Sequence, residues 1–167
     1  MKDTLIVYGS TTGNCENIAR SIAKSLGVAD SSVVSASELT PALIDSNANL
    51  ILGSSTWGSG DLQDEWYDAI DVIKSSNLSG KTVAVFGCGD SSGFSTTFCD
   101  AMFTIYEAAK AAGARMIGAT STDGYTFDES TSVVDGEFVG LALDEDNESD
   151  KTDDRISAWV ETIKPEL

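Results

Sequence analysis

The hydrophobic positions of this chain alternate between short unbroken runs and longer stripes. The runs TLIVY (residues 4–8), NLILG (residues 49–53) and TVAVFG (residues 82–87) are too short for helices and do not alternate with polar residues. Such runs are typical of strands in a parallel sheet that is covered on both faces. Between them, apolar residues recur at helical spacing, as at Ile18 and Ile22. The pattern therefore predicts an α/β fold built from right-handed βαβ units.

Weaker runs and further stripes complete this pattern. Strands are predicted at SVVSA (residues 32–36) and ARMIGAT (residues 114–120). Helical stripes are formed by Trp66, Ile70 and Ile73, by Met102, Ile105 and Ala109, and by Ile156, Trp159, Val160 and Ile163.

A polar stretch interrupts the last predicted strand. Residues 120–137 are rich in Ser, Thr, Asp and Gly, and FVGLALD (residues 138–144) then resumes a strand pattern. We interpret this as one edge strand with an insertion of roughly 20 residues, a length at which inserted loops tend to be functional or disordered.

Length and cysteine content narrow the class of protein. The 167 residues suit one domain spanning residues 1–167, and no apolar run approaches the roughly 18 residues of a membrane span. The N-terminus enters a strand without a signal-peptide pattern, so we expect a cytoplasmic protein. Cys15, Cys88 and Cys99 are odd in number and form no CxxC pair, which favours reduced thiols over a disulfide or zinc site. We predict no metal site.

The charge balance restricts partners and chemistry. The formal net charge is −17, so nucleic acid and anionic membranes would be repelled. The acidity either keeps the protein soluble or selects basic partners, and charge alone does not decide between the two. The absence of histidine removes Ser-His-Asp catalysis, His-ligated metals and the side chain best suited to proton transfer near neutral pH.

Three loops follow predicted strands at the edge of the sheet where α/β proteins bind ligands. The first, STTGNC (residues 10–15), offers hydroxyls, a glycine and a helix N-terminus but no Lys or Arg, which suits an uncharged phosphate site. The second, SSTWGSGD (residues 54–61), places Trp57 among small polar residues, and the third, GCGDSSGF (residues 87–94), ends in Phe94. Either ring can present a flat face to a planar ligand or pack onto the core. The third loop lacks the last glycine of a dinucleotide fingerprint.

Taken together, S-T-T-G-N, T-W-G-x-G-D and G-x-G-D resemble the flavodoxins, from the first strand to the final helix. The insertion, with TDGY (residues 122–125) and GLALDEDN (residues 140–147), is similar to the long-chain subgroup. The resemblance implies a doubly wound five-stranded parallel sheet in the order 2-1-3-4-5, with helices on both faces. It also implies a non-covalently bound FMN, which carries single electrons between redox enzymes in the manner of a ferredoxin.

The resemblance also implies the site. Residues 10–15 would hold the FMN phosphate, Trp57 and Phe94 would cover the two faces of the ring, Asp90 would accept from its N3 side, and Asp146 would approach the ribityl chain. The Gly58–Ser59 peptide could turn its carbonyl toward the N5 edge of the ring, because glycine tolerates positive φ. The expected cofactor-binding residues are Ser10, Thr11, Thr12, Gly13, Asn14, Cys15, Ser55, Thr56, Trp57, Gly58, Ser59, Gly60, Cys88, Gly89, Asp90, Phe94, Thr97, Phe98, Cys99 and Asp146.

The sequence departs from the family pattern at three of these positions. Cys15 and Cys88 stand where threonine is usual or common, and Phe94 stands where tyrosine is usual. Stacking survives the last change, whereas hydroxyl groups are lost at all three positions. We expect FMN still to bind, with altered affinity and potentials.

The expected partners are basic faces of redox enzymes such as ferredoxin/flavodoxin-NADP reductase or pyruvate oxidoreductase. We expect the protein itself to be a monomer. Asp61, Asp64, Glu65 and Asp68 cluster near Trp57, either as a docking patch or as a solvated helix face. The alternative function is that of a flavodoxin-like FMN-dependent quinone or NAD(P)H reductase.

Overall fold

The structure is a computed structural model that describes residues 2–57 and 59–167. Within these residues the strands are β1 (Thr4–Gly9), β2 (Val33–Ser35), β3 (Asn49–Trp57), β4 (Asp61–Leu62), β5 (Thr82–Cys88), β6 (Arg115–Ile117), β7 (Thr120–Ser121), β8 (Val133–Val134), β9 (Glu137–Phe138) and β10 (Leu141–Leu143). The α-helices are α1 (Asn14–Leu26), α2 (Pro41–Asp45), α3 (Trp66–Ser75), α4 (Asp100–Ala111), α5 (Glu145–Glu148) and α6 (Thr152–Ile163). The α/β fold with a parallel central sheet is confirmed.

The main sheet has the strand order β2-β1-β3-β5-β10, with every pair in this path parallel. Both β6 and β10 pair with β5: β6 lies beside its first half and β10 beside its second half. If β5 is counted as the fourth strand and β6 with β10 as the fifth, the order is 2-1-3-4-5. The carboxyl ends of β1, β3, β5 and β10 therefore lie along one edge.

Alternation along the buried strands divides the core into two layers. In β1, Leu5 and Val7 belong to the layer that contains α3 and α4, whereas Ile6 belongs to the layer that contains α1 and α6. Successive strand side chains point to opposite faces, so an unbroken apolar run supplies both layers. The period-four stripe at Ile18 and Ile22 is fully buried in the second layer, which fixes α1 against the sheet.

The insertion is more ordered than its polar composition indicates. Strands β7, β9 and β8 form a small antiparallel sheet in that order. Phe98 packs against Phe127 and Phe138, with ring centroids 5.3 and 6.0 Å away, and Tyr125 lies 4.8 Å from Phe138. These aromatic side chains form a cluster that packs against the main hydrophobic core and holds the insertion in place.

The expectation of one continuous strand over residues 138–144 is wrong at its start. Phe138 pairs within the small sheet, and only Leu141–Leu143 joins β5. Between them, a Cβ on Gly140 would lie 2.0 Å from the Val85 carbonyl oxygen, so only glycine permits this close approach. None of the helices in the described part of the chain combines the length and apolarity that a membrane span requires.

Candidate functional site

A cavity of about 320 Å³ lies where the carboxyl ends of β1, β3, β5 and β10 meet. All three loops singled out in the sequence contribute to its wall, together with α5. Its lining residues are Thr12, Asn14, Ser55, Thr56, Trp57, Cys88, Gly89, Asp90, Phe94, Glu145 and Asp146. None of them is basic, so the cavity is neutral on one side and acidic on the other.

The first loop leads into α1 through Gly13, whose φ of 93° lies in the left-handed region. Glycine adopts this conformation without the strain that a Cβ would introduce. The Gly13 N–H donates to Ser10 Oγ at 3.0 Å, and within the described part of the chain no side chain caps the helix. The N–H groups of the first helical turn have no partner within the helix, and they carry the positive end of its dipole. This loop can therefore bind a phosphate without a cation.

The second loop holds Trp57 at the cavity with its side chain 42% exposed. The indole Nε1–H donates to Ser55 Oγ at 2.8 Å, which fixes the direction of the ring. Thr56 Oγ1 accepts from the Ala101 N–H at 3.2 Å and so connects this loop to the start of α4. The ring is thus oriented but largely uncovered.

The third loop turns tightly around Asp90. Its Oδ1 accepts from the N–H groups of Ser92 and Gly93 at 3.1 and 2.8 Å, and from Asn147 Nδ2 at 2.8 Å. The bonds from Gly93 and Asn147 lower the pKa of Asp90 and hold it ionised. Phe94 follows this turn and is 50% exposed at the cavity.

An acidic edge completes the cavity. One carboxylate oxygen from each of Asp90, Asp144 and Asp146 lies within 4.8 Å of the others. Asp144 is fully buried, accepts from the Ser91 hydroxyl and bonds to Asn147. Partial desolvation of the exposed Asp146 carboxylate, followed by the charges of Asp90 and Asp144, raises the pKa of Asp146. Further negative charge at this edge is therefore unfavourable.

Several residues predicted for the site do not bring their side chains to the cavity. Cys15, Phe98 and Cys99 are fully buried, and Phe98 packs into the aromatic cluster of the insertion. Cys99 adopts a left-handed φ of 55° at the start of α4, and its thiol lies 3.8 Å from the Leu143 carbonyl oxygen. Thr97 is half-buried, and its backbone N–H donates a hydrogen bond to the Phe94 carbonyl oxygen at 3.2 Å.

The remaining predicted residues lie beside the cavity or outside the described residues. Thr11 is exposed and accepts from Gln63 Nε2 at 3.1 Å. Ser59 is exposed, and the Gly60 N–H donates to the Trp57 carbonyl at 3.2 Å. Gly58, and with it the expected turn of the Gly58–Ser59 peptide, lies outside the described residues.

Sequence reasoning missed three residues that shape the site. Glu145 lines the cavity and stands two residues after the end of β10; because ligands bind at strand ends in such sheets, this position could have indicated it. Asn147 joins Asp90 to Asp144, and the buried Gln63 joins the second loop to the first. These two act through hydrogen bonds between distant segments, for which the sequence holds no periodic signal.

The fold and the cavity define a nucleotide-binding protein of the doubly wound α/β class. Two features of the cavity support this class: a helix N-terminus that can accept a phosphate, and exposed aromatic rings at the strand ends.

Comparison with known proteins makes this assignment specific. The family model described as Flavodoxin matches residues 6–159. A flavodoxin from Helicobacter pylori is 43% identical over 159 residues, covering 95% of this chain and 94% of its own length. One from Synechocystis is 42% identical over 165 residues, covering 97% of this chain and 96% of its own length. The chain belongs to the flavodoxin family.

Solved structures agree with this family. The crystal structure of Fusobacterium nucleatum flavodoxin bound to flavin mononucleotide has a TM-score of 0.92 and 29% identity, with 100% of this chain and 99% of that one covered. Oxidised flavodoxin 2 from Bacillus cereus has a TM-score of 0.73 and 26% identity, with 99% of each chain covered.

Proposed function

We propose that this chain is an electron carrier that binds FMN non-covalently in the cavity at the strand ends. It is an electron-transfer protein rather than an enzyme. The observation that carries the proposal is that two large, exposed aromatic side chains, Trp57 and Phe94, line the same cavity as the loop that opens α1. A flat heterocycle with a phosphate tail matches this combination.

The residues present fit FMN. The uncapped first turn of α1, with Thr12 and Asn14 beside it, offers hydrogen-bond donors to a phosphate monoester. Ser55 holds the Trp57 ring in position, and the remaining exposed faces of Trp57 and Phe94 are apolar area that a ring system can cover.

When bound, FMN supplies the redox chemistry, and the protein adjusts its energetics. The aromatic side chains exclude water from the ring, and the hydroxyl groups and amides orient the phosphate. Asp90 and Asp146 place negative charge in the cavity wall, which disfavours the addition of further negative charge there. We infer that these carboxylates lower the potential at which the second electron enters.

We also propose that basic redox enzymes dock beside Trp57. Asp61, Asp64 and Asp68 are exposed around the second loop and α3, and the sequence has no Lys or Arg between Trp57 and Lys74. Such a surface attracts a basic partner and makes association dependent on salt. Candidate partners are ferredoxin/flavodoxin-NADP reductase and pyruvate oxidoreductase, and we propose that the carrier is a cytoplasmic monomer.

A charge variant tests this docking surface. Asp68→Asn should slow electron uptake from a basic reductase at low salt, and the difference from wild type should shrink as ionic strength rises. Asp123→Asn, an exposed change in the insertion, serves as the matched control. Equal loss in both variants, or no loss in Asp68→Asn at any salt concentration, contradicts docking at this surface.

The alternative function, an FMN-dependent quinone or NAD(P)H reductase, is not favoured. The relatives that match nearly the whole chain are flavodoxins, and the described residues of the cavity lining include no basic side chain to hold the phosphates of a nicotinamide nucleotide.

The deciding experiment is titration of the full-length apoprotein with FMN, followed by flavin fluorescence. We expect one FMN per chain, with quenched fluorescence, and then reduction in two separate one-electron steps under anaerobic photoreduction. The absence of FMN uptake at micromolar concentration would overturn the proposal. Rapid NADPH oxidation by the purified protein alone would favour the reductase alternative.

A further inference from the structure

Two thiols meet at the wall of the cavity. Cys15 lies in the first turn of α1, Cys88 ends β5, and their sulfur atoms are 3.4 Å apart. The two residues are 73 positions apart in the chain, so this contact joins separate segments of the site. Both are free thiols in the structure. Neither the electron-carrier function nor FMN binding requires two cysteines in contact.

We propose that Cys15 and Cys88 are a thiol–disulfide exchange site, which forms a reversible disulfide with a small neutral disulfide as oxidant when the cavity is empty. A disulfide holds its sulfur atoms about 2.05 Å apart. The two sulfur atoms, 3.4 Å apart, therefore need to approach each other by about 1.4 Å for the bond to form.

The different exposure of the two thiols sets their order of reaction. Cys88 lines the cavity and is 6% exposed, whereas Cys15 is fully buried behind it. Cys88 therefore gives up its proton to solvent, and its sulfur attacks the oxidant, breaking the oxidant's S–S bond and releasing one thiol. The Cys15 sulfur then attacks the mixed disulfide at Cys88, loses its proton and releases the second thiol. Two protein thiols are oxidised by two electrons, and one oxidant disulfide is reduced to two thiols.

The surroundings make this exchange slow but specific. Contact with the Cys15 thiol, followed by burial, raises the pKa of Cys88 well above its ordinary value. The thiolate is the reactive form, so little of it is present at neutral pH and the pair stays reduced without an oxidant. Cys99 is fully buried, and burial raises its pKa as well, so it is the internal control. The nearby carboxylate of Glu145 disfavours an anionic oxidant, which is why a neutral one is specified.

The disulfide would affect the proposed phosphate site at the start of α1. It joins the first turn of α1 to the end of β5, and that turn supplies the N–H groups proposed to bind the phosphate. We expect the oxidised form to bind FMN at least about tenfold more weakly, the effect of losing one or two hydrogen bonds. We also expect bound FMN to shield Cys88. These two expectations rest on the proposed function, whereas disulfide formation does not.

The test treats the full-length chain, free of FMN, with the disulfide of mercaptoethanol. Intact mass under non-reducing conditions should show the loss of two hydrogens, and peptide mapping should join Cys15 to Cys88. Dithiothreitol should reverse the change. Cys99→Ser should react like wild type, and Cys15→Ser should stop at a mixed disulfide on Cys88.

Three results would overturn the proposal: an unmodified wild-type chain after prolonged treatment, a link through Cys99, or only mixed disulfides in wild type. The wild-type peptide map decides the matter even if a variant fails to fold. FMN titration of untreated wild type tests the proposed function separately. A chain that forms the disulfide but binds no FMN in either form therefore refutes the carrier function and leaves the exchange site standing.

Discussion

Replacement of Trp57 by alanine should weaken FMN binding strongly without disturbing the fold. The side chain lies at the cavity with 42% of its surface exposed, and its fixed contact is the bond to Ser55. Its ring therefore contributes little to the packing of the protein alone. Its contribution should instead arise when a flat ligand covers it.

The exposed area sets the size of the effect. A tryptophan side chain can bury up to about 250 Å², so the exposed fraction of 42% corresponds to roughly 100 Å². If a ligand ring covers about half of that area, the gain is about 1.3 kcal/mol at roughly 25 cal/mol per Å². Aromatic stacking adds about 1 kcal/mol. The total of about 2 kcal/mol corresponds to a rise of roughly 30-fold in the dissociation constant.

Fluorescence titration of the apoproteins with FMN measures this constant directly. Trp57→Phe should show an intermediate loss, because it retains a smaller ring. The matched control is Tyr67→Ala: Tyr67 is 54% exposed on α3 and does not line the cavity. Near-identical affinity of Trp57→Ala and wild type, or an equal loss in Tyr67→Ala, refutes the stacking argument.

Two further substitutions test the supports of the site. Arg155 lies 3.9 Å from the Tyr125 ring centroid and donates to Glu148 at 3.0 Å. Arg155→Met should therefore lower the free energy of unfolding, measured in urea, by about 2 kcal/mol. The control Arg20→Met removes an exposed ion pair and should lower it by less than about 0.5 kcal/mol. Equal costs would contradict a buttressing role for Arg155. The raised pKa of Asp146 means that its ionised form destabilises the fold above that pKa, so Asp146→Asn should raise the apoprotein's melting temperature at neutral pH. This gain should vanish as pH falls below the ordinary aspartate value of 3.8, and an unchanged melting temperature at neutral pH would contradict it.

The strands and the three loops could be predicted because both follow from local pattern. A buried parallel strand needs apolar residues on both faces, so the runs that contain Ile6 and Ile51 stand out in the sequence. Parallel strands end at one edge, so polar loops after successive strands must converge there. Trp57 and Phe94 were found because large rings among small polar residues have little to pack against locally.

The sequence does not show which side chains tertiary contacts turn away from the cavity. Phe98 and Cys99 follow the third loop in the sequence, yet both side chains are buried in the core. The backbone at Cys99 is left-handed, which the sequence does not indicate. Tyr125 and Phe127 stand at irregular spacing among polar residues, so no period reveals that they pack with Phe98. Backbone bonds such as Phe98 N–H to the Glu129 carbonyl, at 3.3 Å, then attach the insertion to the segment after the third loop.

The charge distribution separates two kinds of binding in this molecule. The loop that opens α1 contains no cation, so its proposed hold on a phosphate depends on short hydrogen bonds and the helix dipole, which act over a few ångströms. The exposed carboxylates around Asp61 and Asp68 act through solvent, where salt screens charges beyond roughly 10 Å. Raising ionic strength should therefore slow encounters with a basic partner while changing FMN affinity little. Because the FMN phosphate and the net charge of −17 repel each other, a large rise in FMN affinity with salt would show that the acidic field, and not the hydrogen-bonding loop, dominates cofactor affinity.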